Sequence, residues 1–216
     1  MNIKKILESN GLHEARVLSA CDYMSVPKSW HFLLKEDSKV LRKYIILDYW
    51  KSFSILLPKT MTIFKEYLDD VFVISHYNQV KMVYLFLIDD DYIVYIGNYP
   101  SSDTKIDFLP EKLCKFYMHI HNGWFEAISG GLGLLPIEKI QFLDESEWGL
   151  PREILQSIEL SKTYYVFHNG GGGFLCINTE DDANPKSLVW WTNDQPKLCI
   201  DFWTLLDSWI EIGLLY

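Results

Sequence analysis

With 216 residues, 49% of them apolar and 23% charged, the chain reads as globular rather than disordered, and it is long enough to bury a core without covalent staples. Its 29 acids exceed its 20 bases by nine, so the overall field opposes direct binding to a phosphate backbone and fits either simple solubility or a basic protein partner. No apolar run approaches the roughly 18 residues of a membrane span, the N-terminus lacks the apolar stretch of a signal peptide, and Cys21, Cys114, Cys176 and Cys199 form no CxxC pair, which together predict a reducing cytoplasm.

Ile3 to Leu7 reads as a short helix broken at Asn10 and Gly11. Between Pro27 and Trp50, aromatic and aliphatic residues mix with Lys and Asp without a clean period. Pro58 to Leu68 is helical in pattern, with Met61, Phe64, Lys65 and Leu68 at helical intervals and Pro58 near the start. The pattern then changes. Val71 to Tyr77 and Lys81 to Ile88 are rich in Val, Ile, Phe and Tyr and form a hairpin about Asn78 and Gln79. Asp89, Asp90 and Asp91 make the next turn and Tyr92 to Tyr99 the next strand, completing an antiparallel meander. A domain boundary near residue 80 would rest on this change of pattern alone, and one domain over 1–216 is the simpler reading.

Leu113, Phe116, Tyr117 and Ile120 share a helical face, with Pro110 in the first turn, Asp107 as side-chain cap, and Asn122 and Gly123 as the stop. Trp124 and Phe125 leave that stop as either core or interface aromatics. Glu138 to Leu143 is strand-like, Pro151 to Leu160 suggests a helical turn or two, and Tyr164 to His168, Gly173 to Asn178 and Ser187 to Thr192 are strands. The closing helix sets Phe202, Leu205, Leu206, Trp209 and Ile210 on one face, with Asp201 as N-cap and Gly213 as stop.

Signals of chemistry are sparse. Gly170 to Gly173 precede a strand, so they read as a hairpin turn rather than a phosphate cradle, which needs a helix behind it. His119 and His121 point to nearly opposite sides of a helix and cannot chelate one ion. His121 is instead expected to meet the helix C-terminus as a cation. No GxSxG elbow occurs, and neither acidic run has calcium-loop spacing. No metal or other cofactor is called for. Cys176 and Cys199 lie in apolar runs and read as small core residues. The acidic runs read as solvated turns or as an interaction surface for a basic partner.

LPEKLCKFYMHIHNGW, GLGLLPIEKI, the strand pair around HNGGGGFLCIN and the closing DFWTLLDSWIEIGL resemble the SUKH superfamily over Leu109 to Leu214, about half of the chain. The chain departs from simpler members in its long N-terminal portion and in Trp124 and Phe125, where small residues are more usual. The resemblance implies an α+β fold, a twisted mostly antiparallel sheet with helices packed against it. It also implies an intracellular immunity protein, not an enzyme, that neutralises a cognate toxin, perhaps a basic nuclease domain, by stoichiometric binding without touching nucleic acid or membrane. The contact residues expected on this reading are Asp89, Asp90, Asp91, Trp124, Glu126, Glu180, Asp181 and Asp182. Alternatives are a regulatory or scaffold binder of the same superfamily and a small hydrolase using His121 or His168 with an acid.

Overall fold

The computed structural model describes residues 2–101, 106, 108–181 and 185–215. Asp107, expected as a helix cap, and Asp182, expected as a contact, lie outside the described residues. The strands, in chain order, are β1 (Arg16–Val17), β2 (Leu68–His76), β3 (Gln79–Ile88), β4 (Asp91–Asn98), β5 (Trp124–Glu126), β6 (Gly133–Leu134), β7 (Gln141–Phe142), β8 (Thr163–His168), β9 (Gly173–Asn178) and β10 (Lys186–Trp191). They form one sheet in the order β1-β2-β3-β4-β5-β6-β8-β9-β10, with β7 also on β8, and every pairing is antiparallel. The expected α+β class is therefore observed.

The meander closes through two-residue turns of one kind. Tyr77 and Asn78 join β2 to β3 with φ of 48° and 61°, and Asp89 and Asp90 join β3 to β4 with φ of 49° and 68°. Two successive left-handed residues match the twist of the flanking strands, a conformation that Asn78, Asp89 and Asp90 take readily and into which the bulkier Tyr77 is also drawn. At the β8–β9 turn Asn169 accepts hydrogen bonds from the amides of Gly171 and Gly173, both at 2.9 Å, so the glycine run is a hairpin turn as the strand after it predicts.

Helices α1 (Ile3–Ser9), α2 (His31–Leu34), α3 (Lys39–Tyr49), α4 (Pro58–Tyr67), α5 (Glu111–His119), α6 (Arg152–Leu155) and α7 (Phe202–Leu215) complete the fold. One face of the sheet meets α3, α4, α5 and α7 over the main apolar cluster, which runs from Leu18 to Leu214 and includes Trp50, Phe64, Tyr84, Phe116, Trp124, Phe167 and Leu206. The reverse face carries two smaller clusters. Leu7 and Leu12 close over Phe72, Val83, Val94 and Phe125, and Leu143 with Trp148, Ile154 and Leu155 covers Cys176, Leu188 and Trp190.

Several sequence expectations need correcting. The aperiodic stretch after Pro27 contains α2 and α3, with Trp30 and Trp50 wholly buried but Tyr44 65% exposed, so its aromatics are divided between core and surface. Helix α5 stops at His119 because the Tyr49 hydroxyl of α3 donates to the carbonyls of His119 and Ile120, at 2.9 and 2.8 Å. Gly123 has a left-handed φ of 81°, but it serves the close pass of Pro136, whose nitrogen would lie 2.5 Å from an added Cβ. Glu138 to Leu143 is a single turn of 3-10 helix followed by the two-residue β7. Cys199 is exposed and not a core residue, whereas Cys176 is buried and its thiol is pushed far up by that burial. Gly213 does not end α7; it lets the helix approach the Tyr95 hydroxyl, 3.2 Å from where a Cβ would stand.

The two halves of the sequence are joined by a carboxylate. Asp207, 2% exposed on α7, accepts hydrogen bonds from the amides of Lys59 and Thr60 at 2.8 Å each and from the Thr60 hydroxyl at 2.7 Å. An anion at the first free amides of a helix satisfies donors that nothing inside the helix can reach and meets the positive end of its dipole. Here a residue 147 positions away does the work of an N-cap. Asp207→Ala strands those donors in the core and is expected to cost about 2–3 kcal/mol, read as a lower denaturation midpoint, with Asp207→Asn intermediate.

Candidate partner-binding surface

The expected contact residues do not form one surface. Trp124 is completely buried, ringed by Trp50, Phe64, Tyr84, Phe86 and Tyr95. As an exposed anchor it is corrected by this packing: its side chain has no free face to offer. Glu126 is only 7% exposed, and its carboxylate accepts from the amides of Ile128 at 2.8 Å and Ser129 at 2.6 Å, fixing the loop between β5 and β6. It too is occupied by the fold.

The exposed acids separate into two groups. Asp89 and Asp90 form the β3–β4 turn, and Asp91 opens β4 opposite Ile88. Glu180 and Asp181 follow β9, the Glu180 amide donating to the Asn178 side chain at 3.0 Å. Because neighbouring strands alternate in direction along β3-β4-β5-β6-β8-β9, the end of β3 and the end of β9 fall on opposite rims of the sheet.

A continuous acidic surface lies elsewhere, on the segment covering the reverse face of β8, β9 and β10. Asp144, Glu145, Glu147, Glu153 and Glu159 are all exposed there. Between positions 143 and 182 the sequence has eight acids against two bases, giving −6 of the total −9 and leaving −3 to the other 176 residues. Glu180 belongs to this surface: with Asp144 and Glu159 it lines a cleft of about 530 Å³ that has no lysine or arginine among its described lining residues. Asp144, Glu145, Glu147, Glu153 and Glu159 carry no motif signal, since they are interleaved with apolar and small polar residues in a region of mixed pattern. A sliding sum of charge finds them.

The histidines are placed differently from one another. His119 is exposed, while His121 is wholly buried. The Trp50 indole N–H donates to the Tyr84 hydroxyl at 3.0 Å, that hydroxyl donates to His121 Nε2 at 2.6 Å, and His121 Nδ1–H donates to the Asn98 carbonyl at 3.1 Å. A carbonyl can only accept, so Nδ1 carries the proton and Nε2 is the acceptor of a neutral ring. Burial pushes its pKa down to about 3, against the smaller opposing pull of the Asn98 carbonyl. The expected cation at the helix end is thus corrected to a neutral ring bridging α5 to the sheet, in hydrogen-bond contact with no carboxylate among the described residues. Gly97 makes room for it, since a Cβ there would lie 2.4 Å from Nδ1. His168 lines an open cleft with Tyr165 and Glu138, its ring 4.7 Å from that of Phe174. Among the described residues, no group of three or more His, Cys, Asp or Glu could hold a metal ion, and no helix is long and apolar enough to cross a membrane.

Sheet, helical cover and surface chemistry define an α+β protein with acidic residues gathered on the segment that covers the reverse face of β8, β9 and β10. The chain belongs to the SMI1 / KNR4 family (SUKH-1), whose model matches residues 105–212. That span takes in α5, β5 to β10 and most of α7, and it contains the whole acidic surface. No curated protein and no solved structure matches the chain.

Proposed function

We propose that the chain is a cytoplasmic immunity protein that binds a cognate toxin in a one-to-one complex and blocks it without transforming a substrate. Support comes from membership of the SMI1 / KNR4 family and from one observation above all: in the family-matched half, the exposed Asp144, Glu159 and Glu180 line one cleft, with Glu145, Glu147 and Glu153 exposed on the same covering segment. A nuclease toxin has to attract phosphate and is commonly basic, so an acidic face has the right sign to speed encounter and reject unrelated acidic partners. The neutral, enclosed state of His121 further favours binding over acid–base catalysis by that residue.

The test is co-expression with the toxin domain encoded beside it, scored for growth and for co-purification. Asp144→Lys, Glu159→Lys and Glu180→Lys together alter only exposed positions, so the fold should persist. The triple variant is expected to associate at least about tenfold more slowly at low ionic strength, with the gap narrowing as salt is added. Association at the wild-type rate in low salt would exclude this surface. Absence of both rescue and co-purification by the unaltered chain would exclude the immunity reading itself.

A further inference from the structure

Helix α3 has two apolar stripes where a surface helix needs one. Ile46 is wholly buried in the main cluster. Val40, Tyr44 and Leu47, spaced i, i+4 and i+7, form the other and line a groove of about 500 Å³ together with Leu68, the lysines Lys39, Lys43 and Lys65, and Asp69. Val40 is 62% exposed and Tyr44 65%, and Leu41 beside them is 50% exposed. Three large apolar side chains facing water on a single helix are more than core formation requires.

The charge around this groove runs against the rest of the molecule. Residues 39–69, the span that lines it, carry six bases and three acids, a local +3 in a chain of −9. Lys39 is paired with Asp69 at 2.8 Å, Arg42 with Asp70 at 2.7 Å and Lys59 with Glu211 at 2.6 Å. Lys43 and Lys65 have no ion pair among the described residues, and both line the groove. At physiological salt the Debye length is about 8 Å, so a ligand seated here senses these lysines more than the remote acids. The groove also lies outside residues 105–212, in the portion that the family model does not match.

We propose that this groove is a docking site for an acidic amphipathic helix of a protein partner, with apolar side chains laid between Val40, Tyr44 and Leu47 and carboxylates meeting Lys43 and Lys65. The proposal is independent of the toxin reading, because lysines here repel the basic surface that the acidic side attracts. A twofold dimer through this face is disfavoured, since it would bring the unpaired lysines of both copies together. Nucleic acid is disfavoured by the net charge and by the aliphatic lining.

A synthetic helical peptide with leucines at i, i+3, i+4 and i+7 flanked by glutamates is the probe, titrated against the full chain by fluorescence anisotropy. Its lysine-substituted counterpart is the control. Saturable binding of the acidic peptide alone is expected, weakened at least about tenfold by Tyr44→Ala and by Lys43→Glu with Lys65→Glu, in proteins whose circular dichroism is unchanged. Failure of the acidic peptide to bind, equal binding of the control, or indifference to these substitutions overturns the proposal. So does self-association in sedimentation that Tyr44→Ala abolishes, which would make the occupant a second copy. Displacement of the peptide by single-stranded RNA with the same dependence on Tyr44 and the two lysines would make it a nucleic acid, and equally overturns the proposal.

Discussion

Trp124→Ala is expected to lower the stability of the folded chain by about 3–5 kcal/mol, a large share of the roughly 5–15 kcal/mol that holds a typical domain together. The indole packs against five rings, with centroids 4.4 Å from Tyr95, 5.1 Å from Trp50, 5.8 Å from Phe64 and from Tyr84, and 6.5 Å from Phe86. Deleting it opens a cavity walled by rigid aromatics from the residue after α3, from α4, and from β3 and β4, which have few rotamers with which to collapse inward. Its indole nitrogen has no hydrogen-bond partner among the described residues, so Trp124→Phe loses area but also removes a buried unsatisfied donor. The phenylalanine variant should therefore cost clearly less, below about 2 kcal/mol. Urea unfolding followed by circular dichroism measures both. A Trp124→Ala protein that unfolds within about 1 kcal/mol of the wild type yet no longer binds its partner would restore Trp124 to the interface.

The same residue shows what the sequence could and could not reveal. Strands β2 to β4 are legible because β-branched and aromatic runs are broken by Asn78 and by Asp89 and Asp90, which can take a left-handed backbone, although the first turn is Tyr77–Asn78 rather than Asn78–Gln79, with Gln79 already in β3. The position of Trp124 depends on partners between Trp50 and Tyr95, so core and anchor were indistinguishable from the chain alone. The stop of α5 was misjudged for a similar reason, being set by a hydroxyl 70 residues away on α3. Gly213 looked like a helix stop, because its actual role, close approach to Tyr95 and Leu132, has no local signature. For the candidate surface, exposed acids in turns were found individually. That two of these turns sit on opposite rims follows only from strand order, and that the 143–160 segment gathers the charge onto one side follows only from its packing over Cys176 and Trp190.

Acidification from pH 6.5 to pH 5 is expected to remove about 1.6 kcal/mol of stability through His121 alone. Its folded pKa of about 3 lies below the 6.5 of a free imidazole. Between those values the unfolded chain binds a proton that the folded chain refuses, so the contribution is complete above about pH 6.5 and is lost as pH falls toward 3. One proton corresponds to about 1.4 kcal/mol per pH unit, and the upper part of the window lies above the ordinary range of carboxylates, which isolates histidine from the acids. Refusal of the proton has a structural cause. Protonating Nε2 would set a donor against the Tyr84 hydroxyl, which would have to turn away from the ring and release its own hydrogen bond, while the new charge would sit among Trp30, Tyr49 and Trp50 with no carboxylate bonded to it. Urea midpoints across this range should fall less steeply for His121→Gln than for the wild type. In the intact protein the His121 ring resonances should stay fixed from pH 8 to pH 5. Titration of His121 near 6.5 in the folded protein would mean that the Trp50–Tyr84–His121 chain is open to water, and that the bridge between α5 and the sheet is looser than its 2.6 Å hydrogen bond implies.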